Sequence, residues 1–434
     1  MKVFEKLRNI LFWSIDFAKG GKVLSHFKDI KHIAEHPNDD LTHKKTHQYL
    51  NSILTHAIEN TEFYKNIRIA KLKNFPVITK ETIRNSYSDF ESYTFKNKKR
   101  VKVTTSGSTG ASFSVYQDLN KKARNIADII YYSEISGFHV GYKLYYLRFW
   151  DMFKKKSKIL SFLQNIVPIN VFDLSPESIQ NLVNTLKNDR SSKGMIGYAS
   201  SFNKICNYLE TVHSEPIKCN LKSVIGISER LDGVTKMGMK KYFGVDMVSR
   251  YSNSENGMIA QQPIGEEYFD INWGSYYVEI LEISSNEAVT PGTLGRIVVT
   301  DLFNYLTPII RYDTGDLGCV DYISQNNISR LVLTKIEGRK MDMIRNTEGD
   351  ILSTSILLLI NKYDEIVQRQ IVQKTKNEYL FRLKTKNNIF DQEDVFKKEF
   401  KEYLGQDAII SIDLVTDIAL LPSGKERAII NEVI

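Results

Sequence analysis

This chain has little cysteine, no long apolar run and no block of charge of one sign. Its 434 residues hold three cysteines, Cys206, Cys219 and Cys319, far apart in the sequence. No pair has metal-ligand spacing, and an odd number gives no disulfide framework; a reducing cytoplasm is the expected setting. No run of about 18 apolar residues occurs, so no membrane-spanning helix is expected. There is no internal repeat and no low-complexity linker. The net charge of +8 is spread along the chain and is densest at 96–100 and 154–158. A solvated basic surface accounts for it, with attraction to anionic small molecules or an anionic leaflet as the alternative. No nucleic-acid-binding motif accompanies the charge.

What is present is a soluble, globular composition, 42% apolar and 25% charged, in a chain long enough for two or more domains. Residues 1–19 carry Ile10, Leu11, Phe12, Trp13, Ile15 and Phe17 among charges, without a small-residue cleavage site, so a signal peptide is not expected. The spacing predicts an amphipathic helix docked on the main domain. A helix lying on a membrane surface is the other reading. Helical stripes recur at Leu50, Ile53, Leu54, Ala57 and Ile58, and at Ala123, Ile126, Ala127 and Ile130. Ser175-Pro176-Glu177 opens a helix with a capping hydroxyl and proline in its first turn. Short apolar runs at 195–196 and 223–227 read as buried strands between helices, which argues for α/β layering. Residues 276–283 and 295–303 look strand-rich and suggest a smaller barrel-like sheet. After about residue 342 the composition changes to a small α+β unit, with Asp391 capping a helix striped by Val395, Phe396, Phe400 and Leu404 and ended by Gly405.

The densest chemical signal is Thr104-Thr105-Ser106-Gly107-Ser108-Thr109-Gly110. Glycines let backbone N–H groups crowd a phosphate, and the hydroxyls add uncharged donors. A P-loop would need Gly-Lys-Ser/Thr, and Gly110 is followed by Ala111 and Ser112. A serine-nucleophile elbow fails too, because Gly-x-Ser-x-Gly is one residue short here. Four further segments follow: Ser249-Arg250-Tyr251-Ser252-Asn253-Ser254-Glu255-Asn256-Gly257, then Pro308 through Gly318 with its Tyr312-Asp313-Thr314-Gly315-Asp316 core, then Glu337-Gly338-Arg339-Lys340-Met341-Asp342, then Leu421-Pro422-Ser423-Gly424-Lys425-Glu426-Arg427. An aromatic beside a carboxylate suits adenine stacking next to a Mg²⁺ ligand. Two acids around a Thr-Gly turn suit ribose hydroxyls. A lysine on a tight turn can meet an anion as a point charge.

In this order the segments resemble the adenylate-forming superfamily of acyl- and aryl-CoA synthetases. Glu62-Phe63-Tyr64-Lys65, Pro76-Val77-Ile78-Thr79-Lys80 and the Pro308–Gly318 signature narrow the resemblance to the phenylacetate–CoA ligase branch, and within it to the capsular-polysaccharide (CapK-like) sub-branch. The resemblance implies an α/β adenylation domain, 1–340, of layered sheets with a small barrel-like sheet, and a mobile α+β C-terminal lid, 341–434. It implies an ATP-dependent, AMP-forming ligase that activates a carboxylic acid and passes the acyl group to a thiol, amine or hydroxyl, in surface-polysaccharide metabolism. Thr105, Ser106, Gly107, Ser108, Thr109 and Gly110 would wrap the phosphates. Ser228, Glu229 and Arg230 would lie beside the adenine, Tyr251 would stack on it, and Ser254 would touch the α-phosphate. Glu255 would hold Mg²⁺, Asp316 the ribose hydroxyls, Arg339 the ribose or phosphate, and Lys425 would bridge carboxylate and α-phosphate.

Relatives carry an acidic pair one residue after the Gly-Arg pair. Here Met341 stands first and Asp342 is the only acid, so the hinge falls to one of the two. CoA is one candidate acceptor, as in an ordinary aryl-acid–CoA ligase. A nucleotide-binding scaffold without turnover is the non-enzymatic alternative. Plainer readings also stand. Asp313 is structural, pairing Arg311; Glu229 and Arg230 form an ion pair or a nucleotide contact; the i, i+4 histidines at His32/His36 and His43/His47 lie on exposed helix faces. Gly197-Tyr198-Ala199-Ser200-Ser201 is a candidate acyl-site lining by its position.

Overall fold

The computed structural model describes residues 2–105, 113–150, 164–325, 328–339, 343–350, 352, 354–363, 365–421 and 426–433. Ser106, Gly107, Ser108, Thr109, Gly110, Met341, Asp342 and Lys425 lie outside them, and of Thr105 and Arg339 only the backbone is described. The chain forms two compact units. One holds residues 1–314 and 319–335, the other 315–318 and 336–434.

The larger unit is organised by a seven-stranded sheet. In chain order its strands are β3 (Lys143–Arg148), β4 (Ile166–Asn170), β5 (Lys193–Tyr198), β6 (Leu221–Ile227), β7 (Met247–Asn253), β8 (Gly257–Gln261) and β9 (Asp270–Ile271), arranged β4-β3-β5-β6-β7-β8-β9. The pairs from β4 through β7 are parallel; β7-β8 and β8-β9 are antiparallel. Central strands β5 and β6 are buried almost continuously because helices cover both faces of a parallel sheet. Helices Pro176–Asn188, Ala199–Thr211 and Gly233–Phe243 supply Ile179, Phe202 and Met239 to a core shared with Leu147, Ile225 and Val248. Gly197 is required by close packing: a Cβ there would lie 2.6 Å from Cβ of Leu147. The predicted helix start holds, with Ser175 Oγ accepting from the amide of Ser178.

Two further sheets belong to the first part of the chain. β1 (Arg100–Thr105) and β2 (Phe113–Asp118) form an antiparallel ribbon. Strands β10 (Tyr276–Leu281), β11 (Gly295–Asp301), β12 (Tyr312–Gln325) and β13 (Ile328–Arg339) form a four-stranded sheet in chain order, in the region expected to be barrel-like. The Thr314-Gly315 pair is not a turn between two acids. It runs inside β12, where Gly315 takes φ 80° within the strand. Asp313 is engaged by Arg296 at 2.6 Å, while Arg311 pairs with Glu279 at 3.1 Å.

The N-terminal helix α1 (Val3–Ala18) forms and docks as expected, and it does so through its polar side. Its body-facing contacts are polar and aromatic. Glu5 accepts from the amide of Ser192 at 2.7 Å, Asn9 donates to the carbonyl of Val140, and Asp16 accepts from the amides of Val23 and Leu24. The last pair satisfies open N–H groups at the start of α2 (Lys22–Glu35). Phe12 and Trp13 pack beside Phe27, while the aliphatic stripe faces solvent. An amphipathic pattern predicts two unlike faces but not which one the body takes.

The smaller unit contains β14 (Ile366–Gln373), β15 (Glu378–Thr385), β16 (Ile409–Leu414) and β17 (Ile429–Asn431), ordered β16-β15-β14-β17. Helix Glu393–Leu404 packs Phe396 and Phe400 onto Phe381 and Leu383. Two expectations are corrected here. The N-cap position is Gln392, without a side-chain cap, rather than Asp391, and Val395 is exposed instead of joining the stripe. Gly405 ends the helix at φ 113°.

Candidate functional site

In the sequence the hydroxyl-rich segment falls between the two strands of the β1–β2 ribbon, which are described up to Thr105 and from Phe113. Thr104 faces Ser114 in register, and their hydroxyls are 3.0 Å apart. β2 is fastened along its length. The amide of Tyr116 donates to the Tyr87 phenol and its carbonyl accepts from Asn304. Asp118 accepts from Tyr305 with one oxygen and with the other caps helix Leu119–Glu134 through the amides of Asn120 and Lys121. Each such bond contributes on the order of 1 kcal/mol, so the ribbon is firmly fastened to its neighbours.

Between these anchors, Gln117 joins the ribbon to the second segment. Its buried amide donates to the carbonyl of Glu255 at 3.1 Å and accepts from Asn125 at 3.1 Å. Glu255 sits in the connection from β7 to β8. That connection is closed by the amide of Asn256 donating to Asn253 Oδ1, and by Gly257 at φ 117°. The phenol of Tyr312, the first residue of β12, donates to Glu255 Oε1 at 3.0 Å. The ribbon, the Glu255 connection and the start of the Asp316 strand therefore meet at one residue, Gln117 on the backbone carbonyl of Glu255 and Tyr312 on its carboxylate. Behind them, buried Lys121 pairs with Asp301 at 2.7 Å and donates to the phenol of Tyr276, which donates to the carbonyl of Asn256. The side chain of Asn256 is fully buried, and neither amide atom has a hydrogen-bond partner among the described residues.

Tyr251 is half-buried at the carboxyl end of β7, and its phenol donates to Thr314 Oγ1 at 3.2 Å. Ser228, Glu229 and Arg230 follow the carboxyl end of β6, the edge at which open α/β sheets bind ligands. Ser228 and Arg230 are exposed, and Ser228 takes φ 68°, rare for a residue with a side chain. Glu229 Oε2 accepts from the amide of Ser200 at 2.9 Å, in the first turn of helix Ala199–Thr211, where free N–H groups and the helix dipole favour an anion. Arg250 is buried against Gln261 and Ser133; burial lowers its pKa to about 10, which still leaves it charged near neutrality.

Glu255 is the residue to test for a metal. Its carboxylate is buried, and Tyr312 holds Oε1; Oε2 has no hydrogen-bond partner among the described residues. No group of three or more His, Cys, Asp or Glu suited to an ion occurs among those residues. One oriented carboxylate fits Mg²⁺ of the kind that takes its other ligands from phosphate and water. In the smaller unit's grouping, Asp316 is half-buried on β12, Gly338 takes φ 85° one residue before the end of β13, and Glu337 is buried. Ahead of β17, Gln370 donates to the carbonyl of Arg427. Sequence reading gave Gln117 and Tyr312 no role. The period-two pattern of β2 and a tyrosine opening a strand were the available signals, but neither shows what lies opposite.

Comparison with known proteins agrees with this architecture. Residues 343–432 match the CapK C-terminal domain family. Protein CapK of Staphylococcus aureus is 25% identical over 446 residues, covering 96% of this chain and 94% of that protein. Phenylacetate-coenzyme A ligase of Aromatoleum evansii is 25% identical over 207 residues, 47% of each chain. Among solved structures, 2-hydroxyisobutyryl-CoA ligase with 2-HIB-AMP in the postadenylation state superposes with a TM-score of 0.71 at 17% identity, covering 90% of both chains. ATP-bound MatB from Rhodopseudomonas palustris gives 0.54 at 15% identity, covering 75% of this chain and 66% of MatB. Over nearly its whole length the chain is similar to protein CapK, its residues 343–432 match the CapK C-terminal domain family, and its fold is that of 2-hydroxyisobutyryl-CoA ligase.

Proposed function

We propose that this protein activates a carboxylic acid with ATP and passes the acyl group to a nucleophile. A carboxylate oxygen attacks the α-phosphorus, the bond to the β-phosphate oxygen breaks, and pyrophosphate leaves. The acceptor then attacks the acyl carbon of the mixed anhydride, and AMP departs. The observation that carries this reading is the meeting of Gln117, Glu255 and Tyr312, which ties the strands and connections of three of the five nucleotide-like segments to one residue, Glu255.

In this reading Thr105 through Gly110 donate to the phosphates, and the fastened ribbon keeps them from reorganising during the reaction. Tyr251 lies against the adenine, its phenol tethered to Thr314. Ser228, Glu229 and Arg230 edge the base, Ser254 meets the α-phosphate, and Asp316 accepts the ribose hydroxyls. Glu255 would hold Mg²⁺, which when bound supplies positive charge against the phosphates. Residues 1–340 form the body and 341–434 the lid. Lys425 on the lid meets the anionic reacting centre, Arg339 the ribose or phosphate, and the pivot lies at Met341 or Asp342. A lid matters because water would hydrolyse the mixed anhydride.

CoA is the favoured acceptor, because the phenylacetate relative and the 2-hydroxyisobutyryl neighbour are both named as CoA ligases. An amine or hydroxyl acceptor in cytoplasmic assembly of a surface polysaccharide is the reading the CapK-like resemblance suggests. Carboxylate-dependent exchange of labelled pyrophosphate into ATP tests the first half-reaction. Hydroxylamine trapping over aryl, fatty, uronic and amino acids identifies the acid, and thioester assay with CoA identifies the acceptor. Nucleotide binding without exchange for any acid in the panel would make the protein a non-turnover scaffold instead.

A further inference from the structure

The outward face of α1 is an exposed apolar stripe with basic borders. At 100° per residue, Val3, Phe4, Leu7, Ile10, Leu11 and Phe17 fall in one arc about 140° wide, and all six are exposed, Phe4 by 76% and Phe17 by 80%. This stripe is not left over from poor docking. The helix is held from the opposite side by Glu5, Asn9 and Asp16, each with a partner on the body or on α2. A Cβ on Gly141 would come 2.2 Å from the carbonyl of Glu5, so the body receives the polar side of α1 at backbone contact.

The charges are sorted in the same sense. Glu5 and Asp16 are the helix's two acids, and both are buried. Lys6 and Arg8 border the apolar arc on its two sides, and Lys2, Lys19 and Lys22 stand near the helix ends. Beside the helix a cleft of about 560 Å³ is lined by Lys2, Arg8, Lys143 and Arg190 with Phe4 at its edge. Its acids are already engaged: Asp189 by Lys143 at 2.8 Å and by Ser191, Glu5 by Ser192 and the backbone amide of Lys2. Arg8 and Arg190 make no ion pair among the described residues.

We propose that α1 seats the protein on a bilayer containing anionic phospholipid. Its apolar arc enters the boundary between headgroups and acyl chains, Lys6 and Arg8 stay at headgroup level, and the basic cleft receives a lipid phosphate. The charge pattern selects this occupant over a second copy of the chain. Two such helices face to face would bring basic borders together with no exposed acid on either to answer them. The inference is independent of the catalytic proposal, since no residue assigned to the nucleotide takes part.

Co-sedimentation of the full chain with vesicles tests it. Binding to vesicles of phosphatidylcholine with phosphatidylglycerol is expected, weak binding to phosphatidylcholine alone, and release as sodium chloride is raised. Phe4→Ser combined with Leu11→Ser lowers partitioning about tenfold or more. Lys6→Gln and Arg8→Gln lower it about fivefold each. All four side chains lie at the surface of α1, and an unchanged thermal midpoint establishes that the variants fold. Three results overturn the proposal. One is no binding to anionic vesicles at low salt, and another is equal binding by wild type and variants. The third is a wild-type dimer in sedimentation equilibrium that Phe4→Ser dissociates, which would give the face to a second copy.

Discussion

The phenol of Tyr312 donates to Glu255 Oε1 across 3.0 Å, joining two segments 57 residues apart. The bond holds one carboxylate oxygen in place and leaves the other without a hydrogen-bond partner among the described residues, so a metal ligand there would be oriented before nucleotide arrives. Removing the phenol oxygen in Tyr312→Phe should cost about 1 kcal/mol of stability. If Glu255 holds Mg²⁺, the metal concentration giving half-maximal pyrophosphate exchange should rise about tenfold. A Mg²⁺ titration of exchange, run beside denaturant unfolding, separates the two effects. Lost stability with an unmoved Mg²⁺ midpoint would remove the metal role from Glu255.

Lys425→Ala should lower exchange about a hundredfold or more, because a charge meeting the reacting centre stabilises the transition state. ATP affinity, measured by equilibrium binding, should hold within a few-fold, since the proposed function gives the other nucleotide contacts to the body. Undiminished exchange in this variant would refute the assignment.

Gly257→Ala should destabilise the protein by about 1–3 kcal/mol. The backbone there has φ 117°, and a Cβ would come 2.8 Å from Asn125 Oδ1 and 2.9 Å from the Tyr276 phenol. Gly265→Ala is the control, with φ 84° and nothing within 4 Å of a Cβ. The difference in denaturation midpoints between the two variants isolates the steric part. Equal midpoints would mean the neighbours move aside freely.

Asp270 gives a pH signature. Burial raises its pKa from 3.8 to about 6, against partial relief from Arg330 at 3.4 Å. Between those values the folded state holds a proton that the unfolded state releases. Stability from this group is therefore present below the unfolded pKa, falls as pH rises toward 6, and levels off above it. Asp270→Asn should flatten that part of the stability profile, as followed by urea unfolding across the acid range. A slope unchanged by the substitution would place its origin elsewhere.

Much of the fold was legible from local pattern. The stripe from Leu50 to Ile58 became α3 (Asp40–Asn60), Ser175 caps the helix it was expected to cap, and the strands at 195–196 and 223–227 lie centrally in the main sheet. Where reading along the chain failed, a competing nonlocal contact decided. Thr314-Gly315 resembles a turn, but it continues as a strand of the β10–β13 sheet. Val395 has helical spacing, but only one side of its helix meets the aromatic core around Phe381.

The sequence by itself determined the order of the nucleotide-like segments, the helices and most of the strands, because these follow from residue types a few positions apart. Tertiary structure alone decided that Gln117 and Tyr312 converge on Glu255, and that α1 buries its acids and shows its aliphatic face to solvent. A hydrogen-bond partner far along the chain leaves no mark in local periodicity, and an amphipathic helix encodes two faces without encoding what will cover either of them.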